Sequence, residues 1–128
     1  MPAKHTVSIS EAESVVMDVI WRTNPVSTDE VFTALARDDK WQEPTVKTLL
    51  NRLLKKGAVS AQKAGRRYLY SPVLKRDQWL AAESKGFLDR LFDGRVAPLV
   101  SHFSQQRKLS KKDIADLRRI IEGLDDGR

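Results

Sequence analysis

A long stretch of this 128-residue sequence carries positive charge and no negative charge. No aspartate or glutamate lies between Pro44 and Arg76, whereas every acidic residue before Lys75 lies between Glu11 and Glu43. The cationic residues of the stretch are Lys47, Arg52, Lys55, Lys56, Lys63, Arg66, Arg67, Lys75 and Arg76. Because cationic side chains neutralise phosphate groups, such a stretch favours a nucleic acid as partner before a membrane surface.

Three side chains of the stretch have the chemistry to read base edges. Lysine donates to guanine acceptors, asparagine pairs with adenine, and the methyl group of threonine packs against thymine. We therefore predict that Lys47, Asn51 and Thr48 contact bases. The predicted phosphate contacts are Thr45, Arg52, Lys55, Arg66 and Arg67, and Tyr68 completes the predicted DNA-binding set. A merely solvated charged face is the simpler interpretation for an isolated helix, but it does not explain the absence of acids.

The base-reading residues belong to the third of three predicted helices. Capping boxes that begin at Ser10 and Ser27 start the first two helices. Pro44 lies in the first turn of the third helix, which ends at Gly57. The opposite face of this helix is polar and includes Lys56. Its predicted buried stripe consists of Val46, Leu49, Leu50, Leu53 and Leu54.

A predicted β-hairpin follows the third helix. Residues 59–62 and 68–71 alternate partly between apolar and polar side chains, and the connecting segment 63–67 is basic. Three helices followed by a two-stranded hairpin are typical of a winged helix-turn-helix domain, whose third helix enters the major groove. We therefore predict a mainly α protein with a small β-hairpin, in which residues 1–74 form a winged-helix DNA-binding domain.

The chain from residue 75 onward is predicted to contain helices only. Three amphipathic helices, which start near Asp77, after Gly94 and at Ser110, carry apolar side chains that about fifty residues cannot bury alone. We therefore predict that residues 75–128 form a three-helix dimerisation domain, completed by a second copy of the chain. The predicted dimer contacts are Phe87, Leu88, Leu91, Leu99, Val100, Phe103, Leu117, Ile120, Ile121 and Leu124.

Catalysis and cofactor chemistry find little support in the sequence. The two histidines, His5 and His102, are far apart, and no metalloprotease, nucleophile-elbow or phosphate-loop motif occurs. The absence of cysteine removes disulfides, thiolate metal sites and cysteine nucleophiles. No segment resembles a membrane span or a signal peptide. We expect a cytoplasmic protein that is not an enzyme and has no cofactor or metal.

The motifs, in this order, resemble those of the penicillinase and methicillin-resistance repressors, the BlaI/MecI family. The resemblance covers nearly the whole chain. It includes the segment Ile9–Trp21 (ISEAESVVMDVIW), the run Thr45–Leu53 (TVKTLLNRL) and the residues Lys55–Gly57. In the second half, the matching features are Phe87, Leu88, Leu91, Leu99, Val100, Phe103 and the stretch Leu109–Arg118.

The resemblance implies a dimeric winged-helix repressor that binds an inverted-repeat operator. Members of the family are inactivated by proteolysis when a membrane-bound sensor detects a β-lactam. The resemblance also implies that the C-terminal helices form the dimer. On the DNA-contacting helix it places Thr45, Lys47, Thr48 and Arg52.

Two positions depart from the pattern of this family. Pro44 stands where relatives often have lysine, which removes a DNA contact and implies a different operator preference. The family's cleaved bond joins asparagine to phenylalanine, and the aligned pair here, the candidate cleavage site, is His102–Phe103. Phe103 also continues an apolar helix stripe with Leu99 and Val100, which is sufficient to explain its presence.

Two alternatives remain open at the level of the sequence. One is a winged helix used for protein–protein contact, whose basic face docks an acidic partner. The other is a repressor of the same fold that responds to a signal other than proteolysis. The polar and charged character of the third helix favours DNA over the protein–protein alternative, which predicts an apolar patch at this face.

Overall fold

Six helices and one antiparallel hairpin make up the part of the chain that the computed structural model describes, residues 7–126. His5 lies outside the described residues. The helices are α1 (Glu11–Arg22), α2 (Thr28–Leu35), α3 (Glu43–Lys56), α4 (Arg76–Phe92), α5 (Val96–Gln105) and α6 (Lys111–Asp126), and the strands are β1 (Val59–Ala64) and β2 (Arg67–Pro72). The predicted mainly helical fold with a small hairpin is confirmed.

Serine caps start α1 and α2. The Ser10 hydroxyl accepts a hydrogen bond from the Glu13 backbone N–H at 3.1 Å, and the Ser10 N–H donates to the Glu13 carboxylate at 2.8 Å. Ser27 and Glu30 form the same reciprocal pair, at 3.2 and 2.8 Å. Each pair satisfies two backbone donors that a helix start leaves free. Both predicted capping boxes are therefore confirmed.

The ends of α3 follow from a proline and a glycine. Pro44 lies in the first turn, where its missing N–H costs no hydrogen bond. Gly57 ends the helix with φ of 79°, a conformation that glycine adopts without steric cost. The predicted buried stripe is confirmed apart from Leu54, which is 39% exposed because it lies at the margin of the face centred on Val46 and Leu53.

The hairpin is longer than the sequence pattern predicts. Its tip is the two-residue turn Gly65–Arg66, and pairing continues from Ala64 opposite Arg67 to Val59 opposite Pro72. Gly65 has φ of 67°, as the first central residue of a type II′ turn requires, and this turn matches the twist of the strands. The basic segment predicted as a loop is therefore mostly strand.

Val26, the residue before the α2 cap, joins the hairpin to the helices. Val26 and Tyr70 exchange two backbone hydrogen bonds, at 3.0 and 2.7 Å. Because Val26 directly precedes the Ser27 cap, this bridge holds the start of α2 beside β2. The bridge is a non-local contact that local sequence patterns do not reveal.

The apolar core of the helix–hairpin region draws on α1, α2, α3 and both strands. Its largest fully buried apolar side chains are those of Met17, Ile20, Leu50 and Leu53. Trp21 donates from Nε1 to the Leu74 carbonyl at 2.8 Å, and its ring centroid lies 5.4 Å from that of Trp79. The first turns of α4 therefore pack against this core.

The chain divides into two compact units between Ala82 and Glu83, within α4. The sequence-based boundary at Lys75 marks the start of helix-only sequence. The structural division falls later because Trp79 packs against the core of the first unit.

The second unit, from Glu83 onward, exposes much of its apolar surface. Among its side chains that the structure describes, none is fully buried, and Leu91, Ile120, Ile121 and Leu124 are more than half exposed. Within residues 7–126, no helix combines the length and the apolar character that crossing a membrane requires.

Candidate nucleic-acid interface

The polar face of α3 is exposed. Four apolar side chains of α3 anchor the helix in the core, namely Val46, Leu49, Leu50 and Leu53, so that the opposite face points to solvent. The six predicted contacts on this helix are all exposed: Thr45, Lys47, Thr48, Asn51, Arg52 and Lys55. An amphipathic helix anchored in this way presents its polar residues on a rigid support.

An open cleft lies beside the start of α3. It has a volume of about 370 Å³ and lies between the starts of α2 and α3 and the tip of the hairpin. We refer to it as the wing cleft. It brings together four of the predicted DNA contacts, Lys47, Arg66, Arg67 and Tyr68. The other five lie on the exposed face of α3 outside the lining of the cleft.

Five further residues line the wing cleft: Ser27, Thr28, Asp29, Glu43 and Tyr70. Sequence reasoning did not assign these residues to the site. The capping box at Ser27 marks a helix start, where the helix dipole favours anions, and could have indicated the first three. Glu43 and Tyr70 reach the cleft through the packing of α3 and β2.

The start of α2 carries a carboxylate with a shifted pKa. Hydrogen bonds with Ser27, chiefly through its backbone N–H, lower the pKa of Glu30 below its ordinary value. Arg67 lines the wing cleft beside the α2 start, and its positive charge lowers this pKa further. The Glu30 carboxylate that caps α2 therefore favours its charged form, close to the cationic Arg67.

Lys56, a cation of the acid-free stretch, points toward α1 and not into the wing cleft. Lys56 donates from Nζ to the Glu13 carboxylate at 2.6 Å and to the Ser8 carbonyl at 3.0 Å. Glu13 is only 2% exposed; burial raises the pKa of its carboxyl, but the Lys56 and Ser10 interactions together hold that pKa below its ordinary value. Lys56 is exposed on α3, as the sequence predicts, but its charge neutralises a buried carboxylate and is not directed at the wing cleft.

The predicted dimer contacts lie on apolar surfaces of the second unit. Leu99, Val100, Phe103, Leu117 and Ile120 border a shallow cleft of about 290 Å³. Phe87 and Leu88 border a second cleft, together with Leu99. The remaining predicted contacts, Leu91, Ile121 and Leu124, are more than half exposed, as is Ile120.

The candidate cleavage pair lies inside a helix. His102 and Phe103 belong to α5, and their ring centroids lie 5.6 Å apart. His102 also lies 6.2 Å from the ring of Phe92. A protease that cuts between these residues must first unwind this part of α5, because proteases bind extended chains.

The fold and the exposed cationic surface define the class of protein. Three helices and a hairpin, with a polar third helix beside a cationic hairpin tip, are the features of a winged-helix DNA-binding protein. The solution structure of monomeric Bacillus licheniformis BlaI in complex with the blaP half-operator is similar, with a TM-score of 0.51 and 38% sequence identity. The match covers 59% of this chain and 93% of that one.

The family model of the penicillinase repressors matches residues 9–123. A penicillinase repressor of Bacillus licheniformis is 35% identical over 119 residues, covering 93% of this chain and 93% of the relative. A penicillinase repressor of Staphylococcus aureus is 33% identical over 122 residues, covering 95% and 97%. The chain belongs to the penicillinase repressor family and is a DNA-binding transcriptional repressor.

Proposed function

We propose that the protein represses transcription by binding an inverted-repeat operator as a homodimer. In each protomer α3 enters the major groove, where Lys47, Thr48 and Asn51 contact base edges. Arg66 and Arg67 at the hairpin tip contact the phosphate backbone beside the groove. The observation that carries this proposal is the wing cleft, which places α3 and two hairpin cations around one concave surface.

The apolar surfaces of the second unit support the dimer. Burial of such exposed apolar surface stabilises an assembly by about 25 cal/mol for each Å² removed from water. A second copy of the chain is the proposed occupant, because an inverted repeat requires two protomers related by a two-fold axis. A dimer that binds both half-sites at once then has a far higher affinity for the operator than one protomer has.

Relief of repression completes the proposal. By the resemblance to the BlaI/MecI repressors, a membrane-bound sensor protease cleaves His102–Phe103 in response to a β-lactam. Cleavage within α5 separates α6 from the rest of the second unit, so the dimer dissociates and the operator is released. Because its partner is operator DNA, we place the protein in the cytoplasm. The alternative, a repressor of this fold with a non-proteolytic inducer, differs from this proposal only in how repression is relieved.

Duplex binding at increasing salt tests the DNA-binding part of this proposal. The association constant for a labelled duplex of random sequence, measured by fluorescence anisotropy, should fall steeply with salt. The slope of its logarithm against the logarithm of salt concentration should be about −0.9 for each phosphate contacted. A flat plot would contradict the proposal, because contacts to phosphates release counterions. It would favour the protein–protein alternative, although the exposed face of α3 offers only Leu54 as a large apolar contact among the described residues.

A further inference from the structure

A carboxylate stands at the point where α3 meets the wing cleft. Glu43 is the first residue of α3 and lines the cleft together with Lys47, one turn further along the helix. The Glu43 side chain is 47% exposed, and its Oε2 lies 3.9 Å from Lys47 Nζ. An acidic group in a surface that receives phosphates is unfavourable unless it has a partner there.

Helix capping does not account for Glu43. In α1 and α2, the glutamate that caps the helix is the third residue, and it accepts a hydrogen bond from the backbone N–H of the preceding serine. At α3 the residue before the helix is Gln42, whose side chain makes no capping bond. Among the residues that the structure describes, the Glu43 carboxylate forms an ion pair with Lys47 and accepts no hydrogen bond. Its acceptor oxygens therefore remain available to a ligand.

Base chemistry supplies a partner for this carboxylate. In the major groove, cytosine is the base that presents only an amino donor, and glutamate accepts from this group. The guanine of the same base pair presents acceptors next to that donor, and lysine donates to them. Glu43 and Lys47, with an acceptor and a donor 3.9 Å apart, match these two groups.

We propose that Glu43 determines operator specificity by accepting a hydrogen bond from a cytosine amino group, while Lys47 contacts the guanine paired with it. This inference rests on the proposed function, since it requires α3 in the major groove. It assigns a base-reading role to a residue outside the acid-free stretch. Sequence composition alone would exclude this residue from a DNA interface.

Selection from a library of randomised duplexes tests the inference. The wild-type protein should enrich one position of each half-site for cytosine. Glu43→Gln should shift this position toward adenine, because glutamine pairs with adenine, and should change discrimination there by about 10- to 100-fold. Other positions of the half-site should keep their preference, since the remaining residues of α3 are unchanged.

Glu11→Gln provides a matched control. Glu11 is the first residue of α1, is exposed and does not line the wing cleft, so its substitution removes the same charge from an equivalent helix position. This variant should keep the cytosine preference. If Glu43→Gln instead tightens binding to all duplexes equally, or leaves the preference unchanged, the inference is refuted. Salt-dependent binding by the wild type in the anisotropy assay would leave the proposed function intact, whereas a flat response to salt would refute that function independently.

Discussion

At the level of single side chains, we propose two different roles for the nine residues predicted to contact DNA. Lys47 on α3 is placed to contact bases, whereas Arg66 at the hairpin turn is placed to contact phosphates. The residue types and their exposure could be predicted from the sequence. The ion pair of Lys56 with Glu13 could not, because it depends on contact between α3 and α1, and the proposed role of Glu43 rests on its place in the wing cleft, which packing of the elements creates.

Substitution of these two cations should separate their roles. Lys47→Ala should cost about 1–3 kcal/mol on the preferred duplex and relax the base preference. Arg66→Ala should weaken binding to all duplexes alike and reduce the salt slope by about 1. Competition binding with preferred and random duplexes at several salt concentrations measures both effects. Equal losses on both duplexes for both variants would show that this division of roles is wrong.

The ion pair between the buried Glu13 carboxylate and Lys56 should make stability depend on pH. Because the pKa of Glu13 is below its ordinary value of 4.5, the pair stabilises the fold above that pH and loses its effect as pH falls through the lowered pKa. Glu13→Gln should therefore cost about 1–3 kcal/mol at neutral pH, and the difference from wild type should shrink in acid. Urea unfolding across pH measures this, with the exposed Glu11→Gln as control. A difference that is independent of pH would contradict the prediction.

Local sequence signals predict the helices better than the hairpin. Ser10, Ser27 and Gly57 mark element ends through short-range hydrogen bonds and backbone conformation, and the structure agrees at all three. The strands extend beyond their predicted ends because the tight turn at Gly65 and the bridge from Val26 impose the pairing. A bridge between distant residues has no counterpart in local periodicity.

Gly65→Ala should test the importance of the hairpin turn. Nothing lies within 4 Å of the position that a Cβ atom would occupy, so the expected cost is that of the backbone conformation at φ of 67°, about 1 kcal/mol. The strain should also move Arg66 and Arg67 and weaken duplex binding. Thermal unfolding and anisotropy measure these effects. Gly86→Ala, at an equally open position inside α4, should instead stabilise the helix by about 0.5–1 kcal/mol.

For the whole molecule, the distribution of buried side chains separates the two units. The first contains all fully buried residues among those described, whereas the second exposes its apolar faces. The amphipathic pattern of the sequence predicts that the C-terminal helices leave apolar faces exposed in a single chain. The exact division within α4 could not be predicted, because it depends on the packing of Trp79 against Trp21.

Disruption of the apolar surface on α6 should abolish the proposed dimer. The double substitution Leu117→Glu and Ile121→Glu places two charges on the apolar face and should give a monomer that binds the full operator far more weakly than wild type. Sedimentation equilibrium and anisotropy measure assembly and binding. Arg118→Glu, which introduces the same group at an exposed polar position, should remain dimeric. Tight operator binding by the monomeric variant would assign the surface another role.

The positions of the tryptophans provide separate optical signals for the two units. Trp21, Trp41 and Trp79 are the three tryptophans of the chain, and all precede Ala82. Intrinsic tryptophan fluorescence therefore follows unfolding of the first unit, whereas far-ultraviolet circular dichroism follows the helices of both. If the second unit folds only on association, its dichroism transition should shift with protein concentration while the fluorescence transition stays fixed. Unlabelled protein is then sufficient to determine whether a variant has lost its interface, its DNA-binding fold or both.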